Sequence, residues 1–148
     1  MGDTGPQGPK GDTGPQGAPA TRVEVDIPLV ATVTESRFVD VDGSSTTSLG
    51  DEFIGHGDLL RDGTTVGTWS EFCAITRAAP GGVADLQCTV TLRLPEGDLI
   101  AEGELTITNT GLEPATLAIT GGTANYRTAQ GYVQVSPADS KLTVHLIL

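Results

Sequence analysis

The stretch CAITRAAPGGVADLQC, residues 73–88, reads as a β-hairpin. Small and β-branched residues flank the turn Pro80-Gly81-Gly82, where glycine supplies the positive backbone angles a tight reversal needs. Positions mirrored about a centre between Pro80 and Gly81 face each other, which sets Cys73 opposite Cys88. Cysteines opposed on one face of an antiparallel pair lie within reach of a disulfide. A disulfide implies an oxidising place of residence. The other reading is two buried free thiols serving as small apolar residues.

Working outward, the alternation continues. Leu86, Cys88, Val90 and Leu92 share one face, and Gln87, Thr89, Thr91 and Arg93 the other. At the far end Leu142, Val144, Leu146 and Leu148 point inward, with Thr143 and His145 outward. VEVDIPLV, EFIGHGDLL, TVGTWSEFCAIT, DLIAEGELTIT, ATLAIT and YVQVS are similar runs, bounded by DG, PGG, PEG and GG turns. About eight strands and no helix result. The expected fold over residues 21–148 is all-β: an eight-stranded antiparallel up-and-down barrel, closed so that no sheet edge remains. A β-sandwich is the runner-up.

Residues 1–20, MGDTGPQGPKGDTGPQGAPA, are of another kind. Glycine stands at Gly2, Gly5, Gly8, Gly11, Gly14 and Gly17 without a slip, with Pro6, Pro9, Pro15 and Pro19 between. Only glycine fits the crowded axis where three polyproline-II chains wind together, so the period predicts a collagen-like, triple-helical stalk and a homotrimer. Six triplets are too few to hold three chains against the cost of association, so the barrel must supply the trimer contacts. The stalk would extend roughly 55 Å at about 3.1 Å per residue.

Composition narrows the function classes. Eight Lys and Arg against nineteen Asp and Glu, a formal charge of −11, argue against nucleic-acid binding, which needs clustered cations. Apolar runs are too short for a transmembrane segment, and no secretory signal is visible. No metal or cofactor is expected. His56 and His145 are isolated and belong on the barrel exterior. Asp58 and Asp62 in GHGDLLRDG lack calcium-loop spacing and read as turn residues. Six aromatic residues are too few for a carbohydrate-binding face of stacked rings.

ITGGTANYRTAQGYVQV, residues 119–135, resembles the Gly-Gly signature of the allene oxide cyclase and dirigent barrel superfamily, here carried by Gly121, Gly122, Tyr126, Gly131 and Tyr132. LGDEF at Leu49–Phe53 and VGTWSEFC at Val66–Cys73 look like a second pattern of the plant cyclases. The resemblance implies an eight-stranded barrel with an apolar lumen, and a trimer, in agreement with the glycine period. It also implies a lumenal cysteine, a glutamate and an aromatic wall around a reactive substrate. Cys73 falls on the matching strand position, and Trp69, Glu71 and Cys73 share its face. Glu71 is then either a lumenal carboxylate with raised pKa, suited to acid-base work, or a residue that reaches water at a wide mouth. The cyclases' catalytic glutamate comes from an early strand, and neither Glu24 nor Glu35 aligns with it.

Two functions follow. The preferred expectation is a non-catalytic trimeric head on a collagen-like stalk. It would serve as a structural, attachment or decoration module on a cell, spore or virus particle, with an extracellular, cell-surface or virion-surface location and a capsid, host-surface or cell-envelope partner. The alternative is a cyclase, isomerase or stereo-directing barrel for an apolar polyunsaturated or polyketide-like substrate, working without a cofactor. The expected discriminator is the lumen. Bonded cysteines with a core filled by Leu86, Val90, Leu92, Val144 and Leu146 point to the first, and free thiols round an open cavity to the second.

Overall fold

A computed structural model describes residues 1–148. Nine strands form: β1 (Glu24–Val39), β2 (Glu52–Arg61), β3 (Thr64–Ala79), β4 (Val83–Leu94), β5 (Gly97–Thr108), β6 (Gly111–Leu112), β7 (Ala115–Gly122), β8 (Gln130–Ser136) and β9 (Lys141–Ile147). Each long strand pairs antiparallel with its neighbour in sequence, and β1 pairs with β9, so eight strands close into an up-and-down barrel. The two-residue β6 pairs only with β5 and hangs from its end. Closure satisfies every edge and excludes the sandwich.

Turn chemistry sets the register. Asp62 and Gly63 join β2 to β3 with φ of 51° and 77°, the two left-handed positions of a two-residue hairpin turn. Asp62 is therefore a turn residue, as expected, whereas Asp58 is not. It sits within β2, paired with Thr32 and Thr68, because the reversal needs only the Asp-Gly pair. In the β3–β4 hairpin the centre is Gly81, half a position later than the mirror argument assumes: Ala79 pairs Val83 and Arg77 pairs Asp85. A bulge at Thr76 absorbs the difference, so that Ile75 meets Leu86 and Cys73 meets Cys88. The two cysteines are bonded.

The barrel has two unlike ends. At the terminal end, Val23 and Leu148 exchange backbone hydrogen bonds of 3.3 and 2.9 Å, and the β2–β3, β4–β5 and β7–β8 connections gather. Leu59, Leu92, Leu99 and Val144, each 0% exposed, fill its interior with Leu29 and Leu146. Tyr126 and Ala129 cap it from the β7–β8 connection, and Arg61 bridges to Glu96 at 3.0 Å. The signature residues of the sequence resemblance belong here. A Cβ on Gly122 would lie 2.4 Å from the Tyr126 carbonyl oxygen, and one on Gly131, where φ is +126°, 1.9 Å from that of His145. Gly122 and Gly131 permit close backbone packing there, away from the cavity wall. The mouth end collects the β1–β2 loop, the β3–β4 hairpin and the β8–β9 turn. The buried Asp51 carboxylate ties down the first of these by accepting from the Val41 and Ser48 amides at 3.1 and 2.9 Å.

Residues 1–23 lie outside the barrel, exposed and without regular secondary structure, and side-chain space at all six repeat glycines is open. No helix is long and apolar enough to cross a membrane.

Candidate active site

Alternation turns the same face of every strand inward, but the inward residues change size along the barrel axis. The terminal half presents leucines. Further toward the mouth the inward positions include Ala31, Gly55, Gly57, Ala101 and Gly103. Trp69 fills the space over Gly55 and Gly57 and Leu117 that over Gly103, while Ala31 and Ala101 leave room, and a cavity of about 250 Å³ remains, predominantly apolar and lined by Phe53, Val90, Leu105, Leu117 and Val133 among others. Its rim carries Val33, Ser140 and Lys141, which are exposed, so the cavity opens at the mouth end.

Trp69 is its largest wall residue. Added Cβ atoms on Gly55 and Gly57 would come within 2.9 Å and 2.7 Å of the indole, so β2 is bare at these positions to seat the ring. The indole N–H donates to the Thr32 carbonyl at 2.9 Å. Those contacts leave a rigid aromatic platform, 8% exposed.

Glu71 lies two residues along β3 on the same face. Its cross-strand neighbours are Gly55 and Val90, with Ala101 beyond. No hydrogen bond or ion pair engages its carboxylate, and burial pushes its pKa up, since the charged form loses water without gaining a partner. Lys141 is the only other ionisable side chain on the cavity wall, and its ammonium sits 3.5 Å from the Asp139 carboxylate at the rim. The arrangement offers one half-buried, unpartnered carboxylate on a largely apolar wall beside an aromatic ring, a setting suited to acid-base work by a carboxyl group.

Of the expected site residues the structure brings Trp69 and Glu71 together at the cavity. Cys73, next on the same face, is bonded to Cys88, buried, and absent from the wall, so no thiol is presented. Glu24 and Glu35 also lie off the cavity wall, Glu35 opposite the outward His56. The expected choice between bonded cysteines and an open lumen does not hold, because both occur. Leu86, Leu92, Val144 and Leu146 pack as anticipated while Val90 lines the cavity. Neither cysteine borders the space, which lies among Ala31, Phe53, Val90 and Ala101. His56 and His145 are exterior. His56 Nδ1 is 3.0 Å from Ser70 Oγ. His145 is not isolated: it touches Asp26 at 2.5 Å and Gln134 at 3.2 Å, and its ring lies 4.5 Å from that of Tyr132. Phe53 and the glycine seat were missed by sequence reasoning. Their signal is the spacing Phe53-x-Gly55-x-Gly57, a strand whose inward face has been emptied.

Comparison with known proteins fits this geometry. The family model described as allene oxide cyclase barrel like domain matches residues 30–148. A solved structure described as pyocyanin demethylase is similar at 30% identity with a TM-score of 0.72, over 82% of this chain and 99% of that one. An exo-specific intermolecular Diels-Alderase is similar at 16% identity and TM-score 0.65, over 87% and 100% of the two chains. A pterocarpan synthase dirigent protein follows at 16% and 0.54, over 86% and 87%. A search of curated proteins finds no match. The neighbour at 30% identity is an enzyme by name, and the lumen is open, which overturns the expected non-catalytic structural head. That expectation leaned on the N-terminal repeat, which bears on how chains associate and not on what a barrel does. From the matched span and the shared fold, the chain belongs to the allene oxide cyclase barrel like family.

Proposed function

We propose that the chain is a catalytic or stereo-directing barrel that takes an apolar, conjugated small molecule into the cavity and uses Glu71 as its acid-base group. The observation that carries this reading is the unpartnered Glu71 carboxylate, with its raised pKa, on the wall of a largely apolar cavity. Glu71 in its carboxylate form takes a proton from an acidic C–H, N–H or O–H of the substrate, and the resulting carboxylic acid returns it at another atom of the conjugated system. The net change is an isomerisation or a ring closure, with protons balanced within the site. Walls of fixed shape hold the substrate in one folded conformation and exclude water.

The test begins with the substrate named for the neighbour at 30% identity, pyocyanin, and continues with polyene and polyketide-like compounds, each followed by mass spectrometry. The proposed isomerisation or ring closure gives an equal-mass product with a new retention time. Conversion should fall on the order of 10²-fold or more in Glu71→Gln. Full activity in that variant, or no binding of any apolar compound at the cavity, sinks the reading.

The association of chains belongs to the same proposal. Residues 1–20 form a collagen-like segment wound with those of two further copies, and residues 21–148 form the barrel of each subunit in an extracellular homotrimer. The glycine period supports the stoichiometry, and the buried disulfide supports an oxidising location. The segment leaves each barrel at the terminal end, opposite the cavity mouth, so winding leaves the three mouths unobstructed. Analytical ultracentrifugation of the full chain and of residues 21–148 should give trimers for both, and monomers from the shorter chain would refute assembly by the barrel.

A further inference from the structure

Resting on the association of chains proposed above, we propose that the barrels of the trimer pack against one another through the outer face of β1, β2 and β3, centred on Ile54 and Phe72. Three observations carry it. First, this is where the side of the barrel is apolar. Phe72 and Ile54 are direct cross-strand partners, 48% and 43% exposed. Ala74 follows on the same face of β3, and Val39 lies on β1 one strand beyond Glu52, the partner of Ala74. With Arg37 paired to Ile54, the face has an aromatic ring, branched aliphatics and an arginine, the residue types that gather at the centre of protein contacts. Beside Ile54 a depression of about 270 Å³, bordered also by Glu35, Arg37 and His56, adjoins the bulge between Val33 and Glu35, so a hollow accompanies the exposed ring. Second, the stalk brings this face to the partner. Three repeat segments wind about one axis, and only residues 18–23 separate the last repeat glycine from β1, so β1 and the strands beside it stand nearest that axis. A ring of three uses two unlike surfaces of each copy. The Ile54–Phe72 face is the apolar flank of β1. On the other flank His145 is already bonded to Asp26 and Gln134, so these groups can be covered without losing a partner. Third, the alternatives fit less well. The outer face of β5 carries Glu102 and Glu104, and chains of net charge −11 gain nothing by bringing carboxylates together. The exposed Val33, Val41 and Leu49 lie at the mouth end, away from the stalk.

The full chain is sedimented over a range of concentrations. The parent should be a trimer, and Phe72→Asp and Ile54→Lys should each weaken association about thirtyfold or more, because each puts a charge where apolar surface is covered. Thr116→Asp on β7, across the barrel from β2, should leave the trimer intact. Trp69 is the only tryptophan and is buried, so unchanged emission shows that a dissociated variant is still folded. A second measurement leaves both apolar residues in place and decides the matter should a variant unfold. Ser70 is exposed in the single barrel, on the same face of β3 as Phe72. The thiol of Ser70→Cys should react with a maleimide several-fold more slowly where the chain is trimeric than where dilution has separated it, while Thr116→Cys reacts alike in both. A trimer that survives either charge substitution, or a Ser70→Cys thiol equally reactive in both states, overturns the inference and leaves three-chain association standing. A parent that sediments as a monomer removes the association and the inference together.

Discussion

The terminal half and the mouth half of this barrel are built from the same strands, with the same alternation, yet one is solid and the other hollow. At the terminal end Leu59, Leu92, Leu99 and Val144 meet across the axis with no accessible surface left. A few residues along, the same inward face carries Ala31, Glu71 and Ala101, and about 250 Å³ stays open. Eight strands enclose a lumen that side chains can just fill. Size at five or six inward positions therefore decides whether that lumen is core or site. The solid half supplies the stability that lets the hollow half keep an unpaired carboxylate, a division of labour expected wherever a site costs folding energy.

The contrast can be broken by mutation. The largest effect should come from Leu99→Ala in the solid half, where a new void cannot collapse: about 2–5 kcal/mol of stability lost, measured by denaturant unfolding. A loss below about 1 kcal/mol would mean that the terminal half is not close-packed. Next is the double variant Cys73→Ala and Cys88→Ala. The bond closes a loop with a sequence separation of 15, so removing it should cost about 3 kcal/mol. The cavity should persist, because neither cysteine borders its space, and ligand quenching of Trp69 is the check. Val90→Ala in the hollow half should cost only about 1 kcal/mol, since it enlarges a space that already exists.

The smallest effect is one of pH. Burial raises the Glu71 pKa above its ordinary 4.5, so the folded chain holds this proton to higher pH than the unfolded chain does. The stability contributed by Glu71 is fully present below the unfolded value and is lost as pH rises through the folded one. Glu71→Gln should therefore gain stability relative to the parent as pH climbs from about 4 toward neutrality. Asp85 and Glu96, held low by Arg77 and Arg61, slope the other way in both proteins and cancel in the comparison. A pH-independent difference between the two would show that Glu71 is solvated.

Much of this was legible in the chain. The eight long strands correspond to eight runs of alternating residues, and Cys88 lies opposite Cys73 as the hairpin reading required. Part of that success came from compensation: the turn centre was misplaced by half a residue, and the unanticipated bulge at Thr76 restored the pairing. Asp58 was misassigned because DLLRDG contains two aspartates near one glycine, and only strand pairing shows which of them turns the chain. Trp69 and Glu71 were placed on one face by period and turned inward by the family resemblance at Cys73, whereas Phe53 was missed although its strand was read, because the ring that Gly55 and Gly57 seat comes from the neighbouring strand.

What the sequence determined by itself is the list of strands, the inward face of β4 and of most of β9, where only Leu148 proves exposed, and the opposition of the two cysteines, because period, turn residues and hairpin register are local properties. Whether the lumen is filled was left to the tertiary structure. That depends on which residues meet around one space in the barrel, and closure brings Ala31, Phe53 and Ala101 to the same cavity from strands far apart in the chain. The same closure leaves the half-buried Glu71 without a hydrogen-bonding partner on the cavity wall, and burial raises its pKa.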